Sequence, residues 1–442
     1  MLLVGNGTLI TQDDRLPLIE DGCVVIQDGL IAEVGGTADL QRKHPAAKFV
    51  NARGRIIMPG VINTHMHLYS TFARGMALKD EAPGNFLQIL ERLWWRLDRV
   101  LTLEDVYLSA MVALIDCIKN GTTTILDHHS SPGAVAGSLF RIAEAARQTG
   151  VRSCLCYEVT DRDGSKVADQ SIEENRAFLQ NCKQSKDSLL RGLFGLHASF
   201  TVSDKTMERC TRLAAELGAG FHIHVAEAEA DVDQCQRQHG MRVVERLHDL
   251  GILGSKTIAA HCVHVNESEI ELLKESKTNV VHNPESNMAN AVGAAPVLEM
   301  IHSVVRVGLG SDGYTTDMFE SLKVANALQK HRTGQPGAGW TEVPAMLFST
   351  NADLASESFG RKVGKLIPGA HADLIIVDYD PPTPLLATNI TGHILFGVSG
   401  RSVETTIIGG RIVMQDRKLL EIDEHEVMAK ARVSAEKLWQ RF

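Results

Sequence analysis

Between residues 60 and 313 the sequence alternates short apolar runs with stretches whose apolar positions recur at helical spacing. Eight runs are present: GVINTHMH (60–67), TTTILDHH (122–129), RSCLCYEV (152–159), LLRGLFGLHASF (189–200), GFHIHVAE (220–227), TIAAHCVHV (257–265), TNVVHNPESN (278–287) and VVRVGLGSDG (304–313). A strand covered on both faces reads as a continuous apolar string, and an intervening helix returns the chain so that successive strands lie parallel. Eight such units in roughly 300 residues suit an α/β fold, a (β/α)8 TIM barrel expected over 59–362. The flanks have another texture. Residues 1–58 are short apolar strings punctuated by Gly and Asp, and the same pattern returns in GKLIPGAHADLIIVDYD and SVETTIIGGRIVMQDRKL. Both read as antiparallel strands. The two ends, 1–58 and 363–442, are expected to form one smaller β-sandwich domain, the second part finishing in a helix over EHEVMAKARVSAEKLWQRF.

The polar residues are sorted within the runs. His65 and His67 close the first, His128 and His129 the second, Glu158 the third, His197 the fourth, His224 and Glu227 the fifth, His261 and His264 the sixth, and Asp312 the eighth. Barrel active sites form at the C-terminal ends of the strands, so this sorting points to chemistry rather than to scattered surface histidines. Composition narrows the partners. A net charge of −9 with no basic stripe excludes nucleic acid, and no apolar run reaches the length of a membrane span. Small molecules are the expected partners. The N-terminus lacks a secretory pattern, and the eight cysteines are scattered with no CxxC pair, so reduced thiols and a cytoplasmic location are expected.

Residues two apart on a strand point to one face, which lets His65 and His67 reach a single ion. With His224 they form an imidazole set suited to zinc or another first-row divalent ion. Asp312 can bind the metal directly or accept a proton from water bound to it. His261 reads either as a core histidine or as an electrophile that orients water or a forming oxyanion. His197, His129, Glu158 and Gln88 are candidates for the substrate-pocket wall, each also readable as structural. His222 reads as barrel filling, and His264 and His282 as structural. GLGSDG (308–313) matches a dinucleotide fingerprint, but no acidic residue follows in LQKHRTGQP (328–336) and the match comes last in the array, so it reads as accidental. No PC-x-x-C element is present, which argues against the deaminases that pair it with HxE.

The order HxH, HVAE, strand-six His and GSDG resembles the amidohydrolase superfamily over almost the whole chain. PGVINTHMHLYSTFARG, HIHVAE, AAHCVHV, HNPESNMANAVG and GLGSDG are similar to its branch of triazine hydrolases and guanine-type deaminases. The resemblance implies one divalent ion per chain, zinc or alternatively iron, held by His65, His67, His224 and Asp312. It also implies Glu227 as the proton shuttle and His261 as the residue that holds the water. The fourth strand has no lysine to bridge a second metal, and MANAVG (288–293) departs from the branch's usual turn. The implied reaction is hydrolytic deamination of an aminopurine, pterin or triazine, with hydrolytic opening of a cyclic amide as the alternative. A homodimer is expected on the same ground.

Overall fold

A computed structural model describes residues 1–442. The chain opens with β1 (Leu2–Ile10), β2 (Leu18–Gln27), β3 (Leu30–Gly36), β4 (Lys48–Asn51) and β5 (Ile56–Pro59). Asp28 and Gly29 turn β2 into β3 with φ of 51° and 76°, the paired left-handed geometry of a tight hairpin. The barrel strands follow: β6 (Val61–Met66), β7 (Thr122–His129), β8 (Arg152–Tyr157), β9 (Leu190–Gly192), β10 (Phe194–Ala198), β11 (Phe221–Val225), β12 (Ile258–His261), β13 (Asn279–His282) and β14 (Val307–Leu309). The chain returns through β15 (Leu374–Val377), β16 (Val403–Ile408), β17 (Arg411–Gln415) and β18 (Lys418–Leu419), then ends in a helix, Glu424–Arg441. No helix is long and apolar enough to cross a membrane.

Both ends of the chain share one nine-stranded sheet, ordered β18-β17-β16-β15-β5-β1-β2-β3, with β4 on β1. The joint is β5, parallel to β1 and antiparallel to β15. Side chains from both arms, among them Leu9, Val24, Ile31, Leu374 and Ile407, pack into one core of 16 buried residues. Gly60 then passes the chain into the barrel; a Cβ there would lie 2.2 Å from the Thr123 side chain, so only glycine fits. Arg152, at the start of β8, ties the two parts together through a buried two-pronged pair with Asp373 at 2.7 and 3.0 Å.

The eight expected runs appear as parallel strands, with the fourth split into β9 and β10. Asn175, from the helix Ser165–Gln184, fills that break. Its amide accepts from the Tyr157 N–H (2.9 Å) and the Gly195 N–H (3.3 Å) and donates to the Tyr157 carbonyl (2.8 Å). Buried backbone groups that lose ladder partners need such replacements. The ring closes where the Ser311 and Asp312 N–H groups both donate to the His65 carbonyl at 3.0 Å. The glycines of GLGSDG belong to this closure. A Cβ on Gly308 would sit 2.6 Å from Asn351 Oδ1, and one on Gly310 would sit 2.4 Å from Asn283 Oδ1. Tight packing accounts for them without a nucleotide.

Candidate active site

Strand ends bring His65, His67, His224, His261, Glu227 and Asp312 into one cluster at the barrel mouth, all buried except Asp312, which is half-buried. Tautomers follow from the hydrogen bonds. His67 Nδ1 lies 2.5 Å from the His128 carbonyl oxygen and His224 Nδ1 lies 2.8 Å from that of His197, so each Nδ1–H donates and each Nε2 carries a lone pair. The two Nε2 atoms face each other at 3.2 Å, and Asp312 Oδ1 lies 3.1 Å from His67 Nε2. His65 bonds His222 Nε2 through Nδ1 at 2.8 Å, while its buried Nε2 has no hydrogen-bond partner and points at Asp312 Oδ1, 4.0 Å away. Three nitrogen lone pairs and a carboxylate oxygen converging in a buried space repel one another unless a cation lies among them. The donor set therefore fits a divalent metal.

The electrostatics agree. Burial lowers His67, but the carboxylates of Asp312, Glu158 and Asp127 together raise the imidazole to about 9, so the space between its Nε2 and Asp312 favours a positive charge, a proton or a metal ion in its place. Burial, then neighbouring imidazoles, hold His65 well below its ordinary value. Burial alone would raise Asp312, yet the positive charge favoured at His67 and the other surrounding imidazoles bring it well below the usual carboxylate range. It accepts from Ser286 Oγ at 2.5 Å and the Gly313 N–H at 2.7 Å. Ala226, His261, Cys262 and Asp312 all adopt left-handed backbone, with φ of 45°, 76°, 49° and 55°. Such strain is retained where it aims functional groups.

Glu227 differs from Asp312. Burial, reinforced by Asp312, pushes its carboxyl well above the usual carboxylate range. Oε2 lies 3.5 Å from His261 Nε2, and Oε1 accepts from Asn290 Nδ2 at 3.3 Å. The Asn287 amide donates to His261 Nδ1 at 2.8 Å, which leaves the proton of neutral His261 on Nε2. Burial lowers that imidazole to about 4. His261 Nε2–H is thus a donor aimed between Glu227 and Asp312 Oδ2, the latter 3.8 Å away.

A cavity of about 840 Å³, open mouth included, lies over this cluster, lined by His67, His224, Glu227 and Asp312 and by the aromatic rings of Tyr69, Phe86, Trp94, Trp95 and Phe200. Of the expected wall residues, His197 and Glu158 line it. His129 does not; its Nε2 bonds Ser131 Oγ at 2.9 Å, and its ring packs edge-on to Tyr69 and Tyr157. Gln88 turns outward to accept from the Gly84 N–H at 2.8 Å, while Phe86 and Leu90 on either side face the cavity. Sequence reasoning missed the orienting roles of His222, Ser286, Asn287 and Asn290. The alternation of FHIHV, which puts His222 and His224 on one face, was the available signal for the first.

Comparison with known proteins gives a consistent picture. The sequence pattern of the Amidohydrolase family matches residues 56–413, and that of the imidazolonepropionase-like composite domain of bacteria matches residues 22–47. The chain is 33% identical to a 5'-deoxyadenosine deaminase of Methanosarcina mazei, covering all of this chain and 99% of that protein. Among solved structures it resembles an adenosine deaminase from Xanthomonas campestris with bound zinc, with a TM-score of 0.88, 25% identity and coverage of 99% and 98% of the two chains. It shares its fold with the guanine deaminase of E. coli, with a TM-score of 0.81, 21% identity and coverage of 94% and 100%.

Proposed function

This chain belongs to the amidohydrolase family, and on that premise we propose that it is a zinc-dependent hydrolase that releases the amino group of a flat nitrogen heterocycle as ammonia. The observation that carries the reading is a pair of carboxyls around one imidazole, Asp312 Oδ2 and Glu227 Oε2 at 3.8 and 3.5 Å from His261 Nε2, pushed in opposite directions by their surroundings: Asp312 down by the imidazoles, Glu227 up by burial. Deamination needs both an acceptor for a proton of water and a donor for ring nitrogen and departing amine. The deaminase relative and the zinc-bearing structural neighbour support the same reaction.

We assign one divalent ion to His65, His67, His224 and Asp312; bound there, it supplies Lewis acidity and brings the pKa of water towards about 7. The protein's own groups do the rest. Asp312 takes the proton of the water that adds to the amine-bearing carbon. Glu227 gives its proton to the adjacent ring nitrogen, relays the proton from Asp312 to the amine, and takes back the remaining hydroxyl proton as the carbon–nitrogen bond breaks, so that water and the amino compound become a ring carbonyl and ammonia. The Nε2–H of His261 donates to the oxygen that joins the ring. Aromatic walls exclude bulk water and suit a flat aminopurine, pterin or triazine. We place the enzyme in the cytoplasm as a homodimer on family grounds.

The test is metal analysis of protein purified without added ions, followed by ammonia assays on purines, pterins and triazines in H2¹⁸O. One metal per chain, one ammonia per turnover and ¹⁸O in the product carbonyl are expected. A product heavier by the mass of water with no ammonia released would replace deamination by ring opening, and two metals per chain would overturn the single-ion assignment.

A further inference from the structure

Two hydrogen-bond acceptors sit side by side on the cavity wall next to the metal-ligating imidazoles. His197 Nδ1 lies 2.6 Å from Thr201 Oγ1, and the Thr201 hydroxyl directs its own proton to the Ala198 carbonyl at 3.2 Å. His197 Nδ1 is therefore the donor, and its Nε2 carries a lone pair. That nitrogen lies 3.8 Å from Glu158 Oε2. His128 Nε2–H donates to the His222 carbonyl at 2.9 Å, so the 3.0 Å contact between its Nδ1 and the other oxygen, Oε1, holds one proton between imidazole and carboxyl, which occupies Oε1 and leaves Oε2 an acceptor. Glu158 Oε2 and His197 Nε2 thus have defined positions, line the cavity, and receive no donor from the chain itself.

We infer that this pair receives an N–H edge of the reacting ring, so that the substrate is a heterocycle bearing a second amino or ring N–H group besides the amine it loses. The inference rests on the deaminase reading for which amine is lost. Acceptors 3.8 Å apart both lie within about 3 Å of one amino nitrogen. Their place points to the ring itself. The His197 carbonyl holds His224, and Glu158 Oε1 is 3.6 Å from His67 Nδ1, so the pair adjoins the reacting centre rather than the cavity mouth. An adenine base substituted at N9 has no N–H group except the amine that leaves, and its remaining ring nitrogens would oppose the pair acceptor to acceptor. A diamino ring matches it. A buried acceptor left without a donor costs enough for discrimination of about tenfold.

The test uses the metal-loaded Glu227→Gln protein, which keeps the cavity but cannot carry protons, and calorimetry with three probes: 9-methyl-2,6-diaminopurine, 9-methyladenine and adenosine. The diamino compound should bind at least tenfold tighter than 9-methyladenine, which differs by that one amino group. Glu158→Leu, and independently His197→Phe if the first fails to fold, should reduce the ratio below threefold with metal content unchanged. Equal binding of the two methylated bases, no binding of either, or an unchanged ratio in a folded variant would overturn the inference. So would adenosine binding tenfold tighter than the diamino base, which would assign the pair to sugar hydroxyls. Absence of ammonia release from all three, and from pterins and triazines, with the wild type would instead sink the deaminase reading and leave the binding ratio standing.

Discussion

Replacing His222 tests the proposed metal site without touching a proposed ligand. His222 is fully buried and its Nε2 lies 2.8 Å from His65 Nδ1. His65 can offer the Nε2 lone pair only while Nδ1 keeps its proton, and His222 is the acceptor that holds the proton there. In His222→Leu, that N–H loses its partner in a dry interior, which costs about 1–3 kcal/mol. Loss of a partner that orients a ligand typically weakens metal binding about 10- to 100-fold, or about 1.4–2.8 kcal/mol, so two separate magnitudes converge. His222→Gln, whose amide oxygen reaches about as far as Nε2, should recover most of the loss. The assay is competition for zinc against a chromophoric chelator at pH 7.5, with circular dichroism to confirm the fold. A folded His222→Leu protein that binds zinc within threefold of wild type would refute the argument, as would identical behaviour of the Leu and Gln variants.

Glu227→Gln should keep its metal while kcat falls by about 10² or more, because the amide preserves size but carries no proton; loss of the metal on elemental analysis would make Glu227 a ligand. Asp373→Ala strands Arg152, whose side chain is 1% exposed, and should destabilise the protein by about 3–5 kcal/mol in urea unfolding, against little change if water reaches the guanidinium. Burial raises Asp231 to about 7, so the folded state favours its protonated form and this group's contribution to stability is lost as pH rises from about 4 to 7. Asp231→Asn should flatten that loss, read as urea midpoints at pH 5 and pH 8; an unchanged slope would contradict the burial argument.

The barrel was legible because each strand is buried on both faces and ends in a polar residue, a pattern set by local sequence. The metal-ligand candidates came from the same rule, since His65, His67, His224 and Asp312 each stand at or just past the end of an apolar run. What was not legible depends on distant partners. LLRGLFGLHASF reads as one strand, but it breaks at Leu193, and beyond the break Asn175, supplied by a separate helix, stands between Tyr157 and Gly195. Gln88 sits among residues that face the cavity, yet the Gly84 N–H captures its side chain, a competition that no periodicity reveals. The tautomers of His67 and His224 are set by carbonyls of His128 and His197, and any residue type could supply a carbonyl.

The shared sheet also sets a timetable. β5 is complete by Pro59, but its antiparallel neighbour β15 begins only at Leu374, beyond the entire barrel. At ribosomal speeds of about 5–20 residues per second, the outer edge of β5 waits roughly 15 to 60 s for its partner, and an unpaired strand edge is a template for joining other chains. The nascent protein is therefore most exposed to association while its barrel is being made, and a chain cut before Leu374 should accumulate as aggregate on sedimentation; recovery of such a fragment as soluble monomer would show that β5 needs no late partner.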